Sequence, residues 1–329
     1  MKCFYHSQYR FYNQYIKHEL RFFLLSDIHF SQRVSSQTLR AITAQANRVE
    51  PHYILIAGDL IDSLDHIKNP SNFKRLTRWL ERLAKVAPVL ISLGNHEFYH
   101  KNPKRKNIFS RQGRWLAEDN QSFIDAINKL DNVQILNNQA FEDQNVYIFG
   151  FTQTPEYYQF DNENHRSASI LHPSHEDHDV MVADLDALDQ RLITNLPKHK
   201  AKIALIHSPV YLADSEIAAK LYEFDFFISG HMHSGIVPPV INDFWRSDRG
   251  LIAPNRGFFP HGARTKISSP YDKNIILGAV TTIQDSARPL SFMNGIYPVN
   301  IATLELSNLE TLSRKPDVKH SYISHKHVD

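Results

Sequence analysis

The feature of this 329-residue sequence that most constrains its fold is a set of short apolar runs, each followed at once by polar side chains. The runs at residues 22–26, 53–57 and 89–93 have the length and composition of buried β-strands, and helical spacing of apolar residues separates them. Strands that alternate with helices predict βαβ units whose strands are covered on both faces. Further runs at residues 203–206 and 226–228 lead directly into histidines.

Five polar segments follow these runs, and all contain side chains that bind metal ions. They are Asp27-Ile28-His29, Gly58-Asp59-Leu60-Ile61-Asp62, Gly94-Asn95-His96-Glu97, His207 and Gly230-His231-Met232-His233. The carboxyl ends of strands in an open α/β sheet face the crevice where ligands bind, so we expect the segments to meet at one rim. Singly, all but GNHE are compatible with ordinary hydrogen-bonded strand ends. In this order, and all at strand ends, they indicate a metal site.

Composition narrows the kind of metal site and the kind of partner. Cys3 is the only cysteine, which excludes an intrachain disulfide and a thiolate cluster, whereas 19 histidines supply imidazole ligands. The formal net charge is only +2, so no broad electrostatic footprint for nucleic acid is predicted. No protein partner is evident from the sequence.

The chain is expected to form one main domain. We predict an N-terminal arm at residues 1–20, the domain at residues 21–311, and a polar, disordered tail at residues 312–329. Within the domain, strands at residues 133–136 and 146–151 are expected to pair, and residues 152–179 to form a long loop. No apolar run approaches the roughly 20 residues of a transmembrane helix, and the N-terminus lacks a signal-peptide core. Cytoplasmic localisation is predicted, and a peripheral membrane contact is left open.

The ordered motifs D-x-H, GD-x-x-D, GNHE, H and GH-x-H resemble those of the calcineurin-like metallophosphoesterase superfamily. The region after GHMHSG resembles its small bacterial branch. The resemblance implies an α/β fold, a four-layer α-β-β-α sandwich with two central mixed sheets. It also implies a hydrolase, a phosphodiesterase or a phosphatase, in which a hydroxide activated by two metal ions attacks phosphorus in line.

The resemblance also implies the ligands of two divalent ions. Asp27, His29 and His233 would hold one ion, Asn95, His207 and His231 the other, and Asp59 would bridge the two. Carboxylate, amide and imidazole ligands without thiolate suit Mn²⁺, Fe or Zn²⁺, and Mn²⁺ is our first expectation.

A second pair of residues is predicted to handle protons. By resemblance, His96 acts on the leaving-group oxygen, and imidazole has a pKa suited to delivering a proton near neutrality. Asp62 matches the position that orients this histidine, through a carboxylate that accepts from Nδ1–H. The alternative for His96 is a further metal ligand or a structural hydrogen bond.

The substrate is the least constrained part of the prediction. Ser63 stands where the protein phosphatase branch has an arginine that grips phosphate. Arg249 and Arg256 are candidates for substrate binding, although the same loop is compatible with simple packing. We expect a small or lipid-linked phosphodiester or pyrophosphate. The rival functions are a non-catalytic scaffold of the same fold, which typically loses a ligand or the catalytic histidine, and a nuclease.

Overall fold

The computed structural model describes residues 3–32, 34–100, 114–115, 120–155, 157, 175–208, 215–230, 275–276, 299–308 and 317–324. In chain order the strands are β1 (Cys3–Tyr12), β2 (Leu20–Leu25), β3 (Tyr53–Ala57), β4 (Val89–Ser92), β5 (Tyr99–His100), β6 (Arg114–Trp115), β7 (Val133–Ile135), β8 (Gln139–Glu142), β9 (Val146–Phe151), β10 (Ala201–Ile206), β11 (Phe226–Ile228), β12 (Ile275–Ile276), β13 (Val299–Ser307) and β14 (Asp317–Ser324). The α-helices are α1 (Ser36–Val49), α2 (Leu64–Lys68), α3 (Pro70–Ala84), α4 (Asn120–Ile127), α5 (His175–Asp186) and α6 (Ser215–Lys220).

The strands form two large sheets of mixed direction. The seven-stranded sheet has the order β14-β1-β13-β2-β3-β4-β7. Within it, the four neighbouring strands β2, β3, β4 and β7 run parallel to one another. The five-stranded sheet has the order β12-β11-β10-β9-β8, in which only the pair of β8 and β9 is antiparallel. Strands β5 and β6 form a separate two-stranded ribbon.

Three apolar clusters hold four layers together. One cluster joins the seven-stranded sheet to α1, α3 and α4, and another joins the five-stranded sheet to α5 and α6. The third lies between the sheets and contains Leu55 of β3 and Ile203 of β10. Because each sheet is buried on both faces, its central strands are continuous apolar runs. This architecture confirms the predicted α-β-β-α sandwich with two central mixed sheets.

The helices over the larger sheet begin at side chains that accept main-chain hydrogen bonds. Ser35 caps α1 by accepting from the N–H of Thr38, and Asn69 caps α3 by accepting from the N–H of Ser71. Pro70 follows at the first position of α3, where a missing N–H is tolerated. No α-helix among the described residues is long and apolar enough to cross a membrane.

The two chain ends differ from their predictions. β1 lies inside the seven-stranded sheet, parallel to β13 and antiparallel to β14. The predicted N-terminal arm, residues 1–20, is therefore part of the domain over Cys3–Tyr12, where Tyr9 and Phe11 enter the core between the sheets. The prediction of a disordered tail is wrong over Asp317–Ser324, where main-chain pairing forms a strand despite the low apolar content.

Two predictions inside the domain also fail in part. β7 pairs with β4 and β9 pairs with β8 and β10, so the two runs expected to pair lie in different sheets. Both runs are flanked by turn-rich sequence, which signals a chain reversal without saying which strand follows. The long loop expected at residues 152–179 ends earlier, because α5 begins at His175.

Candidate metal centre

Metal-type side chains that follow four different strands converge at one end of the sandwich. Asp27 and His29 follow β2, Asp59 follows β3 and Asn95 follows β4, all in the seven-stranded sheet, whereas His207 follows β10 of the other sheet. The two carboxylates and two imidazoles are at most 1% exposed. Both sheets therefore contribute potential metal ligands to one buried cluster, at the strand ends where the sequence places them.

The backbone turns sharply where the first ligands leave their strands. Asp27, His29 and Asp59 have positive φ angles of 50°, 45° and 51°. Residues other than glycine rarely adopt this left-handed backbone conformation, and those that do concentrate at functional sites. The N–H of Asp27 donates to the carbonyl oxygen of Gly58 at 3.1 Å, and the N–H of His29 donates to the main-chain carbonyl oxygen of Asp59 at 2.9 Å. The two strand ends thus hold each other in the strained form.

The Asp59 carboxylate is the centre of the cluster. Its Oδ2 lies 3.2 Å from Nε2 of His207, 3.7 Å from Nε2 of His29 and 3.9 Å from Nε2 of His96. Its Oδ1 accepts the main-chain N–H of His96 at 2.9 Å. Burial alone would raise the pKa of Asp59, but the surrounding imidazoles hold it well below its usual range. The Asp59 carboxylate is therefore ionised and has three imidazoles around it.

Two triads of potential metal ligands share this carboxylate. One consists of Asp27, Asp59 and His207 and the other of His29, Asp59 and His96, and the ligand atoms in each lie within 4.8 Å of one another. A carboxylate common to two triads is the geometry that a bridging ligand requires. Burial and the neighbouring His96 lower the pKa of His29 to about 4, which keeps this imidazole in the neutral form that binds metals.

Asn95 provides an independent sign that the donor set fits metal ions. Its Oδ1 is buried and makes no hydrogen bond within the described part of the chain. Buried polar atoms in native proteins almost always have a partner, so an orphaned amide oxygen beside a carboxylate–imidazole cluster suits a cation. Five of the seven predicted ligands are thus brought together.

The division of these ligands between two ions stays a prediction. We predicted that Asp27 and His29 share one ion, whereas the two triads group Asp27 with His207 and His29 with His96. His231 and His233, which complete the predicted sets, lie outside the described residues, as do Arg249 and Arg256. The presence of His96 in a triad also leaves open the alternative that it is a ligand.

His207 is fixed by contacts on the side away from Asp59. Its Nδ1 donates to the carbonyl oxygen of Ala57 at 2.7 Å, which leaves Nε2 to face the carboxylate. Burial would lower the pKa of His207, but Asp59 and the other partners raise it to about 9. Gly58 permits this contact: its φ is +76°, and a Cβ there would lie 2.4 Å from Nδ1 of His207.

His96 is oriented by Asp62, but through a different atom from the one predicted. The Nδ1 of His96 donates to the main-chain carbonyl oxygen of Asp62 at 2.7 Å, while the Asp62 carboxylate lies 3.2 Å from Nδ1 of His66. A carbonyl oxygen can only accept, so the proton sits on Nδ1 and Nε2 points towards Asp59. Burial would lower the pKa of His96, but the carboxylates of Asp59 and Asp62 raise it above its usual value.

Glu97, the last residue of the GNHE motif, fixes the backbone of the site through three hydrogen bonds. Its Oε2 accepts from the N–H groups of Asp59 at 3.0 Å and Gly94 at 2.7 Å, and its Oε1 accepts from Ile61 at 3.0 Å. Burial and the nearby Asp59 carboxylate raise the pKa of Glu97 to about 7. One buried side chain therefore joins the strand ends that carry Asp59 and the GNHE motif.

Several known proteins are similar to this chain. An uncharacterised metallophosphoesterase of Campylobacter jejuni is 24% identical over 77% of this chain and 53% of its own length. One of Helicobacter pylori is 25% identical over 67% of this chain and 46% of its own length, so the chain spans about half the length of these relatives. A dimetal phosphatase from Danio rerio, known from a crystal structure, is 17% identical over 66% of this chain and 82% of its own, with a TM-score of 0.37.

The family comparison covers the region that contains the converging strand ends. The calcineurin-like phosphoesterase model matches residues 20–235, well over half of the chain. That stretch runs from the first strand ahead of Asp27 to just beyond the last strand-end histidines of the sequence. The resemblance read from the motifs is confirmed, and the chain belongs to the calcineurin-like phosphoesterase family.

Proposed function

We propose that this protein hydrolyses phosphoesters with the help of two divalent cations. The observation that carries the proposal is the pair of buried ligand triads joined by one carboxylate, Asp59. Asp27, His29, Asn95 and His207 would complete the metal shells from the described residues, with His231 and His233 as further ligands. When bound, the cations would lower the pKa of a shared water and neutralise phosphoryl oxygens during in-line attack.

His96 is the residue we assign to the leaving group. Its side chain is 22% exposed, whereas those of His29 and His207 are at most 1% exposed, so it is the most accessible of the three to a substrate. With its proton on Nδ1 held by Asp62, Nε2 is the atom that would carry a proton to the departing oxygen. Its raised pKa favours the protonated form near neutrality.

For substrate we propose a small or lipid-linked phosphodiester or pyrophosphate. The near balance of charge gives no support to long nucleic acid as the ligand. Ser63, at the position of the phosphate-gripping arginine of protein phosphatases, is fully buried and so turned away from solvent. Phosphate recognition would then fall to residues elsewhere, of which Arg249 and Arg256 are our candidates.

The test is turnover of a chromogenic bis-phosphodiester by metal-free protein to which Mn²⁺ is added back. We expect hydrolysis that depends strictly on the cation. Asp59→Asn should lose activity and bind less Mn²⁺, whereas Asp125→Asn, on the exposed side of α4, should behave like wild type. Mn²⁺ binding without turnover of any phosphoester would favour a scaffold over an enzyme. Full activity in Asp59→Asn would disprove the bridging role.

A further inference from the structure

The metal ligand His207 stands just beyond the end of its strand's pairing. β10 pairs with β9 up to Ile206, opposite Phe151. Past that point the ladder no longer fixes the backbone, yet a metal ligand must be held to within a fraction of an ångström. A different contact must therefore restrain the residues that follow Ile206.

That contact comes from Gln153, two residues beyond the end of β9. Gln153 is 1% exposed, and its amide spans both main-chain groups of Ser208, the neighbour of His207. The N–H of Ser208 donates to Oε1 at 2.8 Å, and Nε2 donates to the Ser208 carbonyl oxygen at 3.3 Å. A flipped amide would set oxygen against oxygen and nitrogen against N–H, so these contacts fix its orientation. The Gln153 amide thus makes the kind of hydrogen bonds to Ser208 that main-chain groups of β9 make to β10.

Two more contacts reinforce the same stretch of backbone. The hydroxyls of Tyr157 and Ser208 lie 2.9 Å apart, and both side chains are buried. On the other side of β10, the N–H of Gly230 donates to the carbonyl oxygen of His207 at 2.9 Å. Hydrogen bonds from the ends of both neighbouring strands, β9 and β11, thus restrain the main chain at residues 207–208. Gln153 makes those on the β9 side.

We propose that Gln153 is a positioning residue for the metal ligand His207. By fixing both main-chain groups of Ser208, it sets the direction in which the His207 ring leaves the strand and hence the distance from Nε2 to Asp59. Outer partners of metal ligands commonly contribute 10- to 100-fold to metal affinity. The inference rests on the proposed function, because it takes His207 to be a ligand.

The experiment compares Gln153→Met with a matched control, Thr154→Val. Methionine keeps the length of the side chain and removes both contacts with Ser208. Thr154 is the next residue of the same loop segment, and its hydroxyl donates at 3.0 Å to Asp184 of α5 instead. Mn²⁺ affinity is measured by electron paramagnetic resonance of the free ion, and unfolding of the metal-free protein is measured alongside it.

We expect Gln153→Met to weaken Mn²⁺ binding about tenfold and Thr154→Val to leave it unchanged. Equal affinity in Gln153→Met and wild type would overturn the inference. So would equal weakening in both variants, since that indicates general loosening of the segment that follows β9. If Gln153→Met does not fold, Gln153→Glu is judged by the same criteria, because it keeps the acceptor but sets a carboxylate oxygen against the Ser208 carbonyl. Failure of wild type to bind Mn²⁺, Zn²⁺ or Fe²⁺ would instead refute the proposed function.

Discussion

Replacement of Gly58 by alanine tests how tightly the site is built around His207. The new Cβ would lie 2.4 Å from Nδ1 of His207 and 2.9 Å from the main-chain nitrogen of Gly94. The backbone also keeps a φ of +76°, which costs a residue with a side chain about 1–2 kcal/mol. Overpacking in a closed interior adds about 1–3 kcal/mol. We therefore expect Gly58→Ala to lower the free energy of unfolding by about 2–5 kcal/mol.

The closest overlap is with the His207 ring, and a movement of the ring that relieves it breaks the hydrogen bond from His207 to Ala57. Metal binding should weaken together with stability, by about 10- to 100-fold. Denaturant unfolding of the metal-free protein measures the first effect, and titration with Mn²⁺ measures the second. The control is the same substitution in a His207→Ala background. There the ring is absent, so the stability loss caused by Gly58→Ala should shrink by about 1–3 kcal/mol.

Two results would refute this reasoning. A stability loss of the same size in both backgrounds would mean that His207 is not what the alanine meets. Wild-type stability and Mn²⁺ affinity in Gly58→Ala would mean that neither the close approach nor the left-handed backbone constrains the site.

Three further predictions concern His96, Glu97 and His6. His96→Ala should keep its Mn²⁺ and lose most turnover, more for poor leaving groups than for good ones; loss of metal instead would assign His96 to the metal shell. Glu97→Gln turns an amide N–H₂ towards one of three main-chain donors, so we expect a stability loss of about 2 kcal/mol, and unchanged unfolding would contradict the role of Glu97. Burial lowers the pKa of His6 to about 4, so the unfolded chain takes up a proton below pH 6.5 that the folded protein refuses. Stability should therefore fall as the pH drops from 6.5 towards 4, by about 2 kcal/mol at pH 5 from this group, and urea unfolding of His6→Gln should lack that component.

The convergence of these side chains could be predicted because the ends of buried strands are recognisable in the sequence. A buried strand is a run of apolar residues, and a carboxylate or imidazole directly after it is costly unless something binds it. Asp27, Asp59 and His207 show this pattern, and the bounds of β3 and β11 agree with the predicted runs. The alternation of strands and helices predicted βαβ units, whereas the four-layer sandwich was implied by the family resemblance.

Contacts made by main-chain atoms leave no such pattern in the sequence. Every residue has a carbonyl oxygen, so nothing in the sequence distinguishes the Asp62 carbonyl that holds His96 from the carboxylate we expected. The role of Gln153 could not be predicted either, since it depends on the pairing of β9 with β10 ending one residue before His207. β1 was missed because polar residues lie on both of its faces: Ser7 shares a face with Tyr9 and Phe11, and His6 lies on the other, although both are buried.

The place of β1 in the larger sheet has a consequence for how the protein assembles as it is synthesised. β1 is made early, but its partners β13 and β14 are made last among the described strands, and His6 meets Thr303 across 297 positions of sequence. Strands β2, β3 and β4 can pair with one another as soon as they emerge, and the metal-binding end can close once β10 follows them. β1 must wait with both edges unpaired, which makes it the segment most open to wrong pairing before the chain is finished.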